Sequence, residues 1–146
     1  MIAVKRKFNG LAAVSVFAFS LFFSQQVIAD VAVIVHPSND SSIDQSAIKR
    51  MFLGKTKAFS NGRSAILLSL DPSSPITEEF NREVMGKSGS QIKAHWSKMI
   101  FTGKGTPPQE MASIAEIISA VSANPDAIAF VDAASVTDAV KVIATF

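Results

Sequence analysis

Two patterns of apolar and polar residues follow one another along the chain. Short apolar runs without regular alternation, rich in β-branched side chains and bounded by turn-forming residues, are typical of buried strands. Four such runs occur, at residues 31–35, 65–70, 127–131 and 140–145. Because a strand that buries only one face would alternate with polar residues, these runs predict a sheet that is covered on both faces.

Between the strands, apolar residues recur at spacings of three and four, which predicts helices. One helix is expected over residues 44–53, with Gly54 just past its end, and a second follows Ser74 with Pro75 in its first turn. Two residue pairs resemble capping boxes that open further helices: Ser88 with Gln91, and Ser113 with Glu116. The helix after Ser88 is expected to direct four apolar residues inward: Ile92, Trp96, Met99 and Ile100.

The predicted order of elements is β-α-β-α-α-α-β-β, with a short turn or helical piece over residues 133–138. Residues 30–146 suffice for one domain with one core and are too few for two. No repeat or linker divides them, and cysteine is absent, so disulfides are excluded. These features predict a single three-layer α/β domain.

The first 29 residues have the order of segments found in a secretory signal. Lys5, Arg6 and Lys7 precede an uncharged apolar stretch at 11–23, and polar residues then lead to Ala29. This stretch is shorter than the roughly 20 residues that a spanning helix needs. We therefore predict a cleavable signal peptide over residues 1–29 and a periplasmic domain over residues 30–146.

The charge of the chain depends on this assignment. The whole sequence has 14 basic and 12 acidic residues, and three of the basic ones lie in the predicted signal. The remaining domain is close to neutral and slightly acidic. A nucleic-acid partner, which would require a persistent basic face, is not expected.

The turn at residues 71–77 is the first candidate binding site, because a predicted strand leads into it and a helix begins within it. Backbone N–H groups at a helix N-terminus favour an anion, and the hydroxyls of Ser73, Ser74 and Thr77 could add donors. The alternative is that Ser74 only caps the helix. Lys104 lies in a glycine- and proline-rich loop at 103–108, which suits either a binding loop or an ordinary connection.

Catalytic and metal-binding chemistry finds little support. His36 and His95 are far apart in sequence, and neither has a second ligand at metal-binding spacing. No set of nucleophile, base and orienting residue can be assembled. We expect neither an enzyme nor a bound metal or cofactor.

Several segments together resemble the phosphate-binding-protein-like family, the solute-binding components of phosphate ABC transporters. The segments are IKRMFLGK at 48–55, FNREVMGKS at 80–88, Trp96, FTGKGTPP at 101–108 and NPDAIAFV at 124–131. The chain is similar to the short, single-domain branch of this family. The resemblance implies the fold of one lobe of a type II periplasmic binding protein, with an added first strand.

In that family a phosphate cradle lies at the strand-to-helix turn, and its place here is residues 70–77. The resemblance implies phosphate or a similar oxyanion held by Ser73, Ser74 and Thr77, helped by Lys104, in phosphate uptake or sensing. The family's cradle glycines and its preceding arginine are missing. A homodimer or a membrane-bound transporter or sensor would then have to close the site.

A second hypothesis fits these departures. In it the chain is an interaction module that has kept the fold, has lost the ligand and docks on an envelope sensor or transporter. The sequence does not identify the anion, the oligomeric state or the partner.

Overall fold

The computed structural model describes residues 29–146, which form a mixed α/β domain around a five-stranded sheet. The predicted α/β class is confirmed. The signal-peptide prediction falls on residues outside the described range, apart from Ala29. Within the described range, no helix has both the length and the apolar character needed to cross a membrane.

The sheet has the order β3-β2-β4-β1-β5. Strand β2 is parallel to both β3 and β4, whereas β1 runs antiparallel to β4 and β5. The strand bounds are β1 Val31–Val35, β2 Ile66–Ser69, β3 Gln109–Glu110, β4 Ala127–Asp132 and β5 Lys141–Thr145. The four predicted strands are therefore confirmed to within about a residue, and β3 is an addition.

Four α-helices connect these strands: α1 Gln45–Phe52, α2 Pro75–Phe80, α3 Gly89–Phe101 and α4 Ile114–Ala123. The capping box that opens α3 is complete, with the Ser88 hydroxyl accepting from the Gln91 N–H and the Gln91 side chain accepting from the Ser88 N–H. At α4 the Ser113 hydroxyl accepts from the Glu116 N–H, but the Glu116 carboxylate accepts from the Ala112 N–H. The second predicted box is thus only half formed.

Helix α2 is short because its last turn widens. Residues Asn81–Met85 continue it as a π-helical turn, which ends at Gly86 in the left-handed conformation. The positive φ of 63° at Gly86 is one that glycine adopts at little cost. Phe80, the last residue of α2, and Val84 in the widened turn are both buried.

The two central strands carry the core. Every residue of β1 is buried, as is every residue of β4 except Asp132 at its end. Successive side chains of a strand point to opposite faces, so both faces of the sheet are covered, as the unbroken apolar runs predict. On one face, Phe80 stacks on Phe130 of β4 with ring centroids 4.0 Å apart, and Phe52 contacts both rings edge-on.

Helix α3 departs from the predicted orientation at its C-terminal end. Trp96 is buried and both Ile92 and Met99 are half-buried, but Ile100 is 57% exposed. Phe101, which follows it, is 92% exposed. The prediction that Ile100 faces inward is wrong, since more than half of its surface is open to solvent at the last turn of α3.

Candidate functional site

A cleft of about 570 Å³ lies beside the carboxyl end of β2, where the chain enters α2. In α/β sheets, ligands bind outside the carboxyl ends of parallel strands. The cleft is also lined by residues along α3, from Gly89 to Ile100, and by the two prolines before β3. Its polar lining residues are Ser69, Ser73, Thr77, Asn81, Ser90, Lys93, Ser97 and Glu110. The turn at 71–77, predicted as a binding site, therefore contributes residues to the wall of a cleft.

Thr77 is the most informative residue of this cleft. Its side chain is 93% buried, and its hydroxyl has no hydrogen-bond partner among the described residues. A buried hydroxyl without a partner costs about 1–3 kcal/mol relative to one that is paired. Such a group in the wall of a cleft needs an explanation, and a water or a ligand group in the cleft would supply the missing partner.

Ser73 also lines the cleft, but its hydroxyl is already engaged. The Ser73 Oγ donates to Asp71 Oδ1 at 2.5 Å, and the Ser73 N–H donates to the same oxygen at 2.8 Å. The bond from the Ser73 side chain, followed by the bond from its backbone, holds the pKa of Asp71 below its usual value. Asp71 is therefore an anion at neutral pH, and its charge opposes an anionic ligand near the turn.

Ser74 occupies the N-cap position of α2, but its side chain makes no capping hydrogen bond. Ser74 therefore holds the predicted N-cap position, but without the side-chain hydrogen bond that the capping interpretation implies. Since Pro75 has no N–H, the first turn of α2 leaves the N–H groups of Ile76 and Thr77 uncapped. Ser74 is not among the residues that line the cleft.

The cationic residue in the cleft wall is Lys93, which the sequence analysis did not select. Gly89, Ser90 and Lys93 come from the first turns of α3, and all three line the cleft. The capping box engages the Gln91 N–H, so the N–H groups of Gly89 and Ser90 have no intrahelical partner. The Ser88 and Gln91 capping box was the sequence signal that could have identified this second helix N-terminus as part of the site.

Lys104, in contrast, does not line the cleft. It is exposed in the loop after α3, and that helix of 13 residues is about 20 Å long. Ile100 near the end of α3 and Pro107 and Pro108 at the end of the loop also line the cleft, but Lys104, which lies between them in the sequence, does not. The expectation that Lys104 assists the turn at 71–77 is thus not supported by its placement.

A second cleft, of about 790 Å³, lies on the other side of that loop. It is lined by backbone-rich segments around Gly54, Ala65 and Gly105. None of the four predicted binding residues lines it. The smaller cleft, which holds Ser73 and Thr77, is therefore the candidate site.

The histidines belong to the surrounding structure. His95 Nε2 lies 2.9 Å from the carbonyl oxygen of Leu53, and His36 Nδ1 lies 2.7 Å from the Ser38 hydroxyl. Over residues 29–146, no three metal-ligating side chains come together.

Solved structures with the same fold include several phosphate receptors. An ABC-type phosphate transport receptor from Vibrio cholerae superposes with a TM-score of 0.61 at 17% identity, over 80% of this chain and 46% of the receptor. A second structure is a protein from Clostridium perfringens, assigned as a phosphate ABC transporter substrate-binding protein and solved with bound phosphate. It superposes with a TM-score of 0.62 at 21% identity, over 80% of this chain and 45% of that protein. PstS from Borrelia burgdorferi superposes with a TM-score of 0.57 at 13% identity, over 79% of this chain and 47% of PstS.

The expected resemblance to phosphate-binding proteins is confirmed at the level of the fold. The chain spans less than half the length of these structures. No protein-family model matches the sequence, and no curated protein matches it.

Proposed function

We propose that this domain is a solute-binding protein of the phosphate-receptor type, and that it binds phosphate or a similar oxyanion in the cleft beside β2. The observation that carries the proposal is the buried, unpartnered hydroxyl of Thr77 in the cleft wall. Its place at a strand-to-helix turn, in a fold shared with phosphate receptors, supports an anion as the missing partner.

Donors for the anion come from two helix starts. Thr77 belongs to the first turn of α2, and Ser90 and Lys93 belong to the first turns of α3. Helix dipoles favour an anion by about 0.3–2 kcal/mol, and each hydrogen bond to a charged group adds about 1.5–3 kcal/mol. Lys93, rather than Lys104, supplies the cation that assists the anion. Ser73 hydrogen-bonds to Asp71 and does not contact the ligand.

The affinity of the isolated domain should be weak. Asp71 and Glu110 oppose the anion, and the cleft lacks an arginine among its described lining residues. A few donors on one open face correspond to a Kd of about a millimolar. We propose that a second surface, such as a membrane transporter component, completes the site, and that the signal peptide delivers the domain to the periplasm.

Replacing Thr77 by Val tests the proposal through two opposite effects. Valine has the shape of threonine without the hydroxyl, so we expect the unfolding free energy to rise by about 1 kcal/mol. The same change should weaken phosphate binding about tenfold or more, because the donor is lost. Urea unfolding measures the first quantity, and titration calorimetry with phosphate measures the second.

Thr77→Ser is the matched control. It keeps the hydroxyl and removes one methyl group, so phosphate binding should stay within about threefold of wild type, while stability falls by about 1 kcal/mol. If Thr77→Val binds phosphate as well as wild type does, the hydroxyl is not a ligand-binding group and the proposed site is wrong.

A further inference from the structure

The cleft that holds Thr77 is larger and more apolar than an inorganic anion requires. Its volume of about 570 Å³ falls within the range of about 300–1,000 Å³ that is typical of clefts for organic ligands. Such clefts are lined mainly by apolar and aromatic side chains, with a few polar groups that fix orientation.

The lining residues follow this division. The apolar and aromatic ones are Phe52, Leu70, Pro72, Phe80, Met85, Ile92, Trp96, Ile100, Pro107, Pro108 and Phe130. The donors come from the starts of α2 and α3, whereas Ile100 and the two prolines belong to the end of α3 and the loop after it. The cleft therefore has donors at the two helix starts and apolar residues along α3 and the loop after it, where Ser97 and Glu110 add polar groups.

The charges of the lining limit the size of the anionic group. Among the lining residues that the structure describes, Lys93 is the one cation, and Glu110 in the edge strand β3 is a carboxylate. One lysine and a few neutral donors suit a single phosphoryl or similar group. A chain of phosphates would bring several negative charges toward Glu110 without further cations to offset them.

From these observations we propose that the ligand is an organic oxyanion: one phosphoryl-type head group held at Thr77, Ser90 and Lys93, joined to a small apolar body that lies along Trp96 and Ile100. This inference rests on the proposed function, since it uses the same head-group site. It adds the substrate class, because an apolar body would pack against the apolar lining residues, which inorganic phosphate would leave without a contact.

Comparing n-butyl phosphate with inorganic phosphate tests the substrate class. Each methylene removed from water is expected to raise affinity about fourfold, so partial burial of the butyl chain should give at least a tenfold lower Kd than phosphate. Trp96 is the sole tryptophan of the chain and lines the cleft, so its fluorescence reports binding directly. Butan-1-ol, which lacks the head group, serves as the ligand control.

The outcomes separate the inference from the proposed function. Equal affinities for n-butyl phosphate and phosphate would overturn the organic ligand and leave anion binding intact. Binding of neither anion, or equal affinities for n-butyl phosphate and butan-1-ol, would overturn both. Tighter binding of n-butyl phosphate than of both other compounds supports the inference.

Two neighbouring variants locate the apolar body. Ile100→Ser removes an exposed apolar residue of the cleft wall, so the preference for n-butyl phosphate over phosphate should fall at least threefold. Phe101→Ser removes a more exposed residue that does not line the cleft, and it should leave the preference unchanged. An unchanged preference in Ile100→Ser would contradict the proposed position of the apolar body.

Discussion

Replacing Phe80 by Ala is expected to lower the unfolding free energy by about 3–5 kcal/mol. Phe80 is 2% exposed and stacks on Phe130, with Phe52 edge-on at a centroid distance of 4.9 Å. The substitution removes the central ring of this cluster, and the surrounding strands cannot close the cavity fully. Because small domains are stable by only about 5–15 kcal/mol, this loss would be a large share of the total stability.

Phe101→Ala is the matched control, since it makes the same chemical change at a residue that is 92% exposed. Its effect should stay within about 0.5 kcal/mol. Urea denaturation followed by Trp96 fluorescence measures both variants. A loss below about 1 kcal/mol in Phe80→Ala, or equal losses in the two variants, would show that the three rings do not form the core described above.

Replacing Gly54 by Ala should cost about 2–5 kcal/mol for two separate reasons. The φ of Gly54 is +71°, where a residue with a Cβ is strained by about 1–2 kcal/mol. An added Cβ would also lie 2.8 Å from Cη2 of Trp96, so the buried indole would have to move, at about 1–3 kcal/mol.

Gly62→Ala separates these two causes. Gly62 has a φ of +86°, but an added Cβ would meet no atom within 4 Å. It should therefore show the backbone cost alone, and the difference between the variants measures the contact with Trp96. Thermal unfolding of both variants provides the comparison. Equal destabilisation would contradict the close approach of Trp96 to Gly54.

The strands and helix starts could be predicted because each depends on local chemistry. An apolar run such as 31–35 has one stable placement, in the middle of a sheet. The Ser88 and Gln91 box pairs its own backbone groups within four residues, so its signal depends little on distant contacts.

The features that the sequence does not predict depend on contacts between distant segments. Strand β3 consists of two exposed polar residues, Gln109 and Glu110, and becomes a strand because β2 offers an unpaired edge. The widened turn after Phe80 likewise has no pattern of its own in the sequence. The exposure of Ile100 depends on where the covering layer ends, which helical periodicity does not specify.

The candidate site shows the same division. The position of the turn at 71–77 between a strand and a helix predicts a binding site there, with Thr77 as one of its donors. The bonds from Ser73 to Asp71 are local, between residues two apart, whereas the placement of Lys93 rather than Lys104 in the cleft wall depends on how α3 packs. Sequence spacing alone carries no information on that arrangement.

We propose that phosphate binds between the starts of α2 and α3. Titrating phosphate into the ¹⁵N-labelled protein and following its amide resonances tests this claim most directly. We predict saturable shifts at millimolar phosphate that are largest at Ile76, Thr77, Gly89 and Ser90, with little change around Lys104. The absence of saturable shifts from a folded protein, or shifts centred on the loop at 103–108, would contradict the account.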